Sequence, residues 1–145
     1  MSSVLIVDDE PLIRELLARW LAQAGYDIRE APDAESALAL VDGAGPDVVM
    51  CDVRMPGRGG VWLVEQLHQR FPAVAVVLAT ANDGLPPGVS LKSGVVDYLV
   101  KPLDSNRVLA AVGRAVEWRK AALASEQRQP GGADPFAGWL SNGRR

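Results

Sequence analysis

The sequence predicts an α/β fold: a doubly wound parallel sheet of five strands with helices on both faces. Three observations predict it. Apolar runs rich in Val, Ile and Leu begin near residues 3, 26, 47, 74 and 96, and segments with helical periodicity lie between them. Such near-continuous runs imply strands covered on both faces. Four of the runs stop on a reactive side chain, with VLIV before Asp8, DVVM and Cys51 before Asp52, AVVLA before Thr80 and DYLV before Lys101. In a parallel sheet the carboxyl ends of the strands share one edge, and ligands bind in the crevice there. Finally, 145 residues with 48% hydrophobic content make one domain with a sizeable core.

The first helix carries Leu12, Ile13, Leu16, Leu17, Trp20, Leu21 and Ala24 at i, i+3, i+4 spacing, with Pro11 suited to its first turn and Gly25 to its stop. A second is expected from about Asp33, as N-cap, to Asp42, before the turn Gly43-Ala44-Gly45-Pro46. The third follows Gly60, buries Leu63, Val64, Leu67 and Phe71, and is ended by Pro72. A fourth is limited by Pro86, Pro87 and Gly88 to about Pro87 to Ser93, with Gly94 as a left-handed stop. The fifth, capped by Asp104 or Ser105, meets no breaker before Pro130 and should run to about Gln127, further than the sheet needs. Residues 129–145 are expected to be a flexible tail. Crossovers should be right-handed.

The net charge of −3, without a Lys/Arg block before Arg144 and Arg145, disfavours direct nucleic-acid binding. The N-terminus lacks the pattern of a signal peptide, no run approaches the roughly 18 apolar residues of a bilayer span, and no membrane role and a cytoplasmic location are expected. Cys51 reads as a small buried hydrophobe and His68 as a solvated residue. Met55-Pro56-Gly57 with Gly59 and Gly60 lacks phosphate-loop spacing and reads as a turn. Trp62 falls opposite Val64, Leu67 and Phe71, so it should be exposed, and with Trp118, Phe136 and Trp139 it is a candidate contact residue.

Asp8, Asp9 and Asp52 would converge, and three close carboxylates repel one another unless a hard cation relieves them. Mg²⁺ suits the site, because it takes oxygen ligands and keeps several waters. An Asp beside such a cation can attack phosphorus and form an aspartyl phosphate, with a nearby ammonium, here Lys101, neutralising the transferring group. Thr80 adds a hydroxyl that can donate to a phosphoryl oxygen.

The acidic pair in VLIVDDE, Asp52 in DVRMPGRGG, Thr80-Ala81 and DYLVKP, at spacings of 43, 28 and 21 from Asp9 to Asp52, Thr80 and Lys101 in turn, resemble the receiver domain of bacterial two-component response regulators. The resemblance covers roughly residues 1–118, so that 119–128 would extend the last helix. It implies a flavodoxin-like sheet of order 2-1-3-4-5 and phosphorylation of Asp52 by a histidine kinase or histidine phosphotransfer protein. It further implies that Asp9, Asp52 and the Arg54 carbonyl hold Mg²⁺ directly and Asp8 mainly through water. Lys101 would clamp the phosphoryl group, Thr80 would reorient towards it, and Tyr98 would move inward. The Lys101-Pro102 bond is typically cis in such proteins.

The expected function is a single-domain response regulator, a signalling phosphoacceptor rather than an enzyme, whose output is a phosphorylation-dependent contact with a downstream protein. Its oligomeric state is left open. An aspartyl-phosphate phosphatase of the haloacid dehalogenase type would carry D-x-D after the first strand and a cap insertion, neither of which is here. A pseudo-receiver that binds partners without phosphate would have lost an acid or the lysine, and all are present.

Overall fold

Each apolar run becomes a strand. The structure, a computed structural model, describes residues 2–81 and 94–128. Strands β1 (Ser3–Val7), β2 (Asp27–Ala31), β3 (Val48–Asp52), β4 (Ala75–Thr80) and β5 (Val95–Val100) alternate with helices α1 (Pro11–Gln23), α2 (Ala34–Ala44), α3 (Gly59–Arg70) and α4 (Ser105–Arg128). All neighbouring strands are parallel, in the expected order β2-β1-β3-β4-β5.

Because side chains alternate across a strand, each apolar run supplies two cores. Leu5, Val7, Val49, Cys51, Val76 and Leu78 meet α2 and α3 through Ala37, Val41, Leu63 and Leu67. Val4, Ile6, Val48, Met50 and Val77 meet α1 and α4 through Leu17, Leu21, Val108 and Val112. Each fully buried side chain of this kind stabilises the fold by about 1.5–3 kcal/mol relative to exposure.

Local chemistry sets the helix ends. The Asp33 carboxylate accepts from the Ser36 N–H at 2.8 Å and caps α2, and that bond holds its carboxyl below the usual range. Asp104 caps α4, accepting from the Arg107 N–H at 2.9 Å. The second helix runs two residues beyond the expected Asp42, to Ala44. Gly43 meets nothing that would oppose another turn, and the left-handed stop falls at Gly45, with φ 63°. The fifth predicted helix, α4, reaches Arg128. The fourth predicted helix and residues 129–145 lie outside the described residues, although Gly94 has the left-handed φ of 92° expected of a stop.

Several side chains depart from the helical-wheel reading. Leu12 is 79% exposed, because only Leu17 and Leu21 of α1 face the sheet closely enough to be buried. Phe71 is half-buried at the end of α3 rather than in its core. Trp62, expected to be exposed, is half-buried against the core. It lies in the seam with Leu38 and Ala39 of α2, and Arg58 stacks over its ring at 4.9 Å. Its period relative to the sheet was right, but α3 also packs sideways on α2, and that covers a second stripe.

At the amino edge of the sheet, Arg119 of α4 donates from Nε to Asp47 Oδ1 at 2.7 Å and from Nη1 to the Ala73 carbonyl at 2.8 Å. At the other edge α3 starts hard against β3. The Gly60 N–H donates to the Val53 carbonyl at 3.0 Å, and a Cβ there would lie 2.5 Å from the Asp52 carbonyl oxygen and 2.8 Å from Val53 Cα. Among the described residues, no helix is long and apolar enough to cross a membrane.

Two glycines in helices should therefore respond oppositely to alanine. Gly60→Ala forces backbone apart and should destabilise by about 1–3 kcal/mol. Gly113→Ala, in α4 with nothing within 4 Å of the new methyl, should stabilise by about 0.5–1 kcal/mol. Urea unfolding midpoints of both variants against the parent check this, and an unshifted Gly60→Ala would contradict the close seating of α3.

Candidate functional site

Parallel register brings the reactive residues to one edge. Asp8 follows β1 and continues its ladder, with its N–H donating to the Ala31 carbonyl at 3.2 Å. Asp52 and Thr80 are the last residues of β3 and β4, and Lys101 follows β5 with its N–H on the Thr80 carbonyl at 2.8 Å. The chain leaves β1 for β2 on one side, while β3 lies on the other. That reversal of order opens the crevice in which sheets of this type bind ligands.

Carboxylate oxygens of Asp8, Asp9 and Asp52 all lie within 4.8 Å of one another. Asp8 and Asp52 are buried, at 2% and 6% exposure, whereas Asp9 is exposed. Lys101 Nζ sits between the buried pair, 3.3 Å from Asp52 Oδ2 and 3.5 Å from Asp8 Oδ2. The other Asp52 oxygen, Oδ1, accepts from the Arg54 N–H at 3.3 Å. Thr80 is fully buried at the end of β4. Tyr98 is 50% exposed, and a register shift between Val76 and Val77 sets which β5 residues face in, so that Leu99 is buried beside it. The Lys101-Pro102 peptide is cis.

None of the three acids is a helix cap. The cap position of α1 is Glu10 and that of α3 is Arg58, and neither makes a side-chain capping bond. Asp8 and Asp52 instead accept the backbone N–H two residues on, from Glu10 and Arg54, which fixes the turns beyond their strands. His68 is exposed on α3, as expected of a solvated residue.

Burial raises the pKa of Asp52; Lys101 opposes the rise and Asp8 adds to it. For Lys101 burial acts to lower the pKa, but the charges of Asp52 and Asp8 outweigh it and the ammonium is held more firmly than usual. Cys51, fully covered and next to these acids, has its thiol pushed up by burial first and by Asp52 and Asp8 second, so it remains a protonated core residue.

Three carboxylates against one ammonium leave a surplus of two negative charges. The donor set fits a small hard cation. Bonds of about 2.0–2.1 Å place octahedral ligands roughly 3–4 Å apart, so oxygens within 4.8 Å of one another are close enough to be drawn onto one ion.

One polar residue of the site was not evident beforehand. Arg14 of α1 donates from Nη1 to the Asp8 carbonyl at 2.7 Å, and its Nε lies 3.5 Å from Glu30 Oε1 on β2. A sequence signal existed: Arg14 lies three and seven residues before Leu17 and Leu21, the two buried positions of α1, so it sits on the inward face.

Residues 4–113 match the family described as response regulator receiver domain. The chain is 40% identical over 138 residues to the positive alginate biosynthesis regulatory protein of Pseudomonas aeruginosa, covering 92% of this chain and 55% of that protein. It is 38% identical over 128 residues to the DNA-binding transcriptional regulator NtrC of Salmonella typhimurium, covering 88% and 26%. It thus spans about half and about a quarter of the lengths of these relatives. Among solved structures it superposes on the receiver domain of NtrX from Brucella abortus with a TM-score of 0.73 at 33% identity, covering 79% of this chain and 98% of that one. A response regulator receiver domain protein from Clostridium thermocellum matches in fold, with a TM-score of 0.78 at 24% identity over 84% of this chain and 99% of that one.

The raised pKa of Asp52 has a stability consequence. A carboxyl whose folded pKa exceeds its unfolded value of about 3.9 stabilises the fold while protonated, and that contribution is lost as pH rises through the folded value. Asp52→Asn removes the ionised form while Lys101 keeps Asp8 as its partner. The variant should melt higher than the parent at pH 7, by a margin that shrinks as the pH falls towards 4. Melting curves across that range decide it, and a lower or equal melting temperature at pH 7 would show that Asp52 is not held against its own burial.

Proposed function

The chain belongs to the response regulator receiver family, and on that premise we propose that Asp52 accepts a phosphoryl group from a histidine kinase or histidine phosphotransfer protein. The observation that carries this is the buried Asp52 carboxylate, raised in pKa and flanked by Lys101 on one oxygen and two further carboxylates nearby. Asp9, Asp52 and the Arg54 carbonyl would hold Mg²⁺ directly, and Asp8 mainly through water. When bound, the cation supplies positive charge to the oxygens of the transferring group.

The chain's own residues account for the rest. An Asp52 oxygen attacks phosphorus; the new O–P bond forms as the bond from phosphorus to the donor imidazole nitrogen breaks, and the nitrogen keeps the electron pair. The carboxylate that burial makes more basic is the stronger nucleophile once ionised. Lys101, held charged by the acids on either side, neutralises the developing charge. Thr80 then offers its hydroxyl to the phosphoryl group, and Tyr98 on β5 turns inward as that rearrangement is taken up. The altered surface would be read by a downstream protein.

A small phosphodonor, acetyl phosphate with Mg²⁺, should add one phosphoryl group to the parent and none to Asp52→Ala, as read by intact mass. Chelation of the cation should abolish the addition. Lys101→Ala should slow labelling by roughly 10²–10³-fold, the usual loss for one electrostatic stabiliser, while Thr80→Ala should spare labelling more and weaken the partner response. Equal labelling of the parent and Asp52→Ala would sink the assignment.

A further inference from the structure

Asp8 uses all of its polar atoms: N–H to the Ala31 carbonyl, carbonyl from Arg14, Oδ1 from the Glu10 N–H at 2.9 Å, and Oδ2 with Lys101. Its neighbour Asp9 has no such frame among the described residues and is exposed. The two acids share one peptide plane, which contains the Asp8 carbonyl and the Cα atoms of both residues. Whatever fixes that carbonyl fixes the position of the Asp9 Cα, the point from which its side chain departs. We propose that Arg14 is a positioning residue for divalent-cation binding, acting through the Asp8-Asp9 peptide. This rests on the cation reading of the site given above.

Three features support geometry over charge as the way Arg14 acts. It contacts a backbone oxygen and no carboxylate of the cluster. Its guanidinium is pinned by Glu30 from the neighbouring strand, which also offsets its charge as felt at the site. Its side chain is only 18% exposed, so the fork is held between α1, β1 and β2 rather than free in water. A planar guanidinium can span the carbonyl and Glu30 together, whereas a lysine ammonium reaches one or the other. A cation repels a cation, so an Arg14 that mattered through its field would weaken Mg²⁺ binding, and its loss would tighten it. Positioning predicts the opposite sign.

Calorimetric titration with MgCl₂, in the absence of any phosphodonor, separates the two on the full chain. Arg14→Lys keeps the charge and loses the fork, while Arg14→Gln loses both. Both should bind Mg²⁺ about tenfold more weakly, the lower end of what partners of metal ligands usually contribute. Glu30→Gln, which leaves the Asp8 contact in place, should lose less. Labelling by acetyl phosphate in Arg14→Lys should return to the parent rate at saturating Mg²⁺, which a general structural defect would not allow. Unchanged affinity in Arg14→Lys, or tighter binding in Arg14→Gln, overturns the inference while leaving the cation site standing. A parent chain that binds no Mg²⁺ overturns the site reading itself.

Discussion

Two buried carboxylates at the ends of adjacent strands constrain everything around them. The pairing of Val7 with Cys51 makes Asp8 and Asp52 the next residues in register, on strands spaced about 4.8 Å apart. The sheet therefore forces the two acids together. At about 4 Å, two unit charges near a protein surface interact by about 4 kcal/mol, a large share of the 5–15 kcal/mol that stabilises an ordinary domain. Lys101 offsets much of this repulsion by touching both acids. The two partners respond to pH with the same sign but in different windows. Both have raised folded pKa values, so the contribution of protonated Asp52 is lost as pH rises through the acid range, and that of Lys101 persists below its unfolded pKa of about 10.4 and fades as pH rises through its raised folded value.

The ladder alone does not hold these groups, because Asp8 is its last bonded residue after β1, and Asp9 and Arg54 lie on the turns beyond the strands. Each turn is fixed from a helix. Arg14 of α1 secures the corner after β1, and α3 closes the corner after β3 by bringing Gly60 so near the Asp52 carbonyl that a side chain cannot enter. The β4 and β5 ends are joined by the bond between the Lys101 N–H and the Thr80 carbonyl. Charge is thus concentrated at the last hydrogen-bonded residues of the sheet and just beyond them, where side chains complete the support. That division explains how an apolar, closely packed sheet can carry a strongly charged edge.

Much of this could be read from the chain itself, because a strand buried on both faces writes a continuous apolar run and its end is marked by the first polar residue. Asp8, Asp52, Thr80 and Lys101 were legible for that reason, and their convergence followed from parallel strands. Readings based on helical phase fared less well. Trp62 was placed correctly relative to the sheet but not relative to α2, whose position against α3 no single-helix pattern encodes. The α2 terminus moved to Ala44 because Gly43 tolerates a helix when nothing crowds it. Arg14 was visible as a charge on an inward face, yet its partner, a backbone carbonyl, leaves no mark in a sequence. The match to known receivers over residues 4–113 supports the fold and the family, while the roles of individual side chains rest on the chemistry of the edge.

The same electrostatics give the proposed switch a magnitude. A phosphoryl group on Asp52 would put more negative charge in front of Lys101, which is already shared between two acids, so the ammonium must redistribute. Lys101 follows β5 directly, and its backbone is bonded to Thr80, so a displacement passes to both strand ends at once. Three residues earlier on β5 stands the half-exposed Tyr98, beyond a register irregularity where the strand is least regular. Inverting a two-state equilibrium from 1:99 to 99:1 takes about 5.5 kcal/mol. One added charge at the contact distances seen here is worth about 4 kcal/mol, and a hydrogen bond from Thr80 to a charged oxygen adds about 1.5–3 kcal/mol. Local charge and one hydroxyl are thus of the magnitude that such a shift requires, and both act at the strand ends rather than in the two apolar cores beneath.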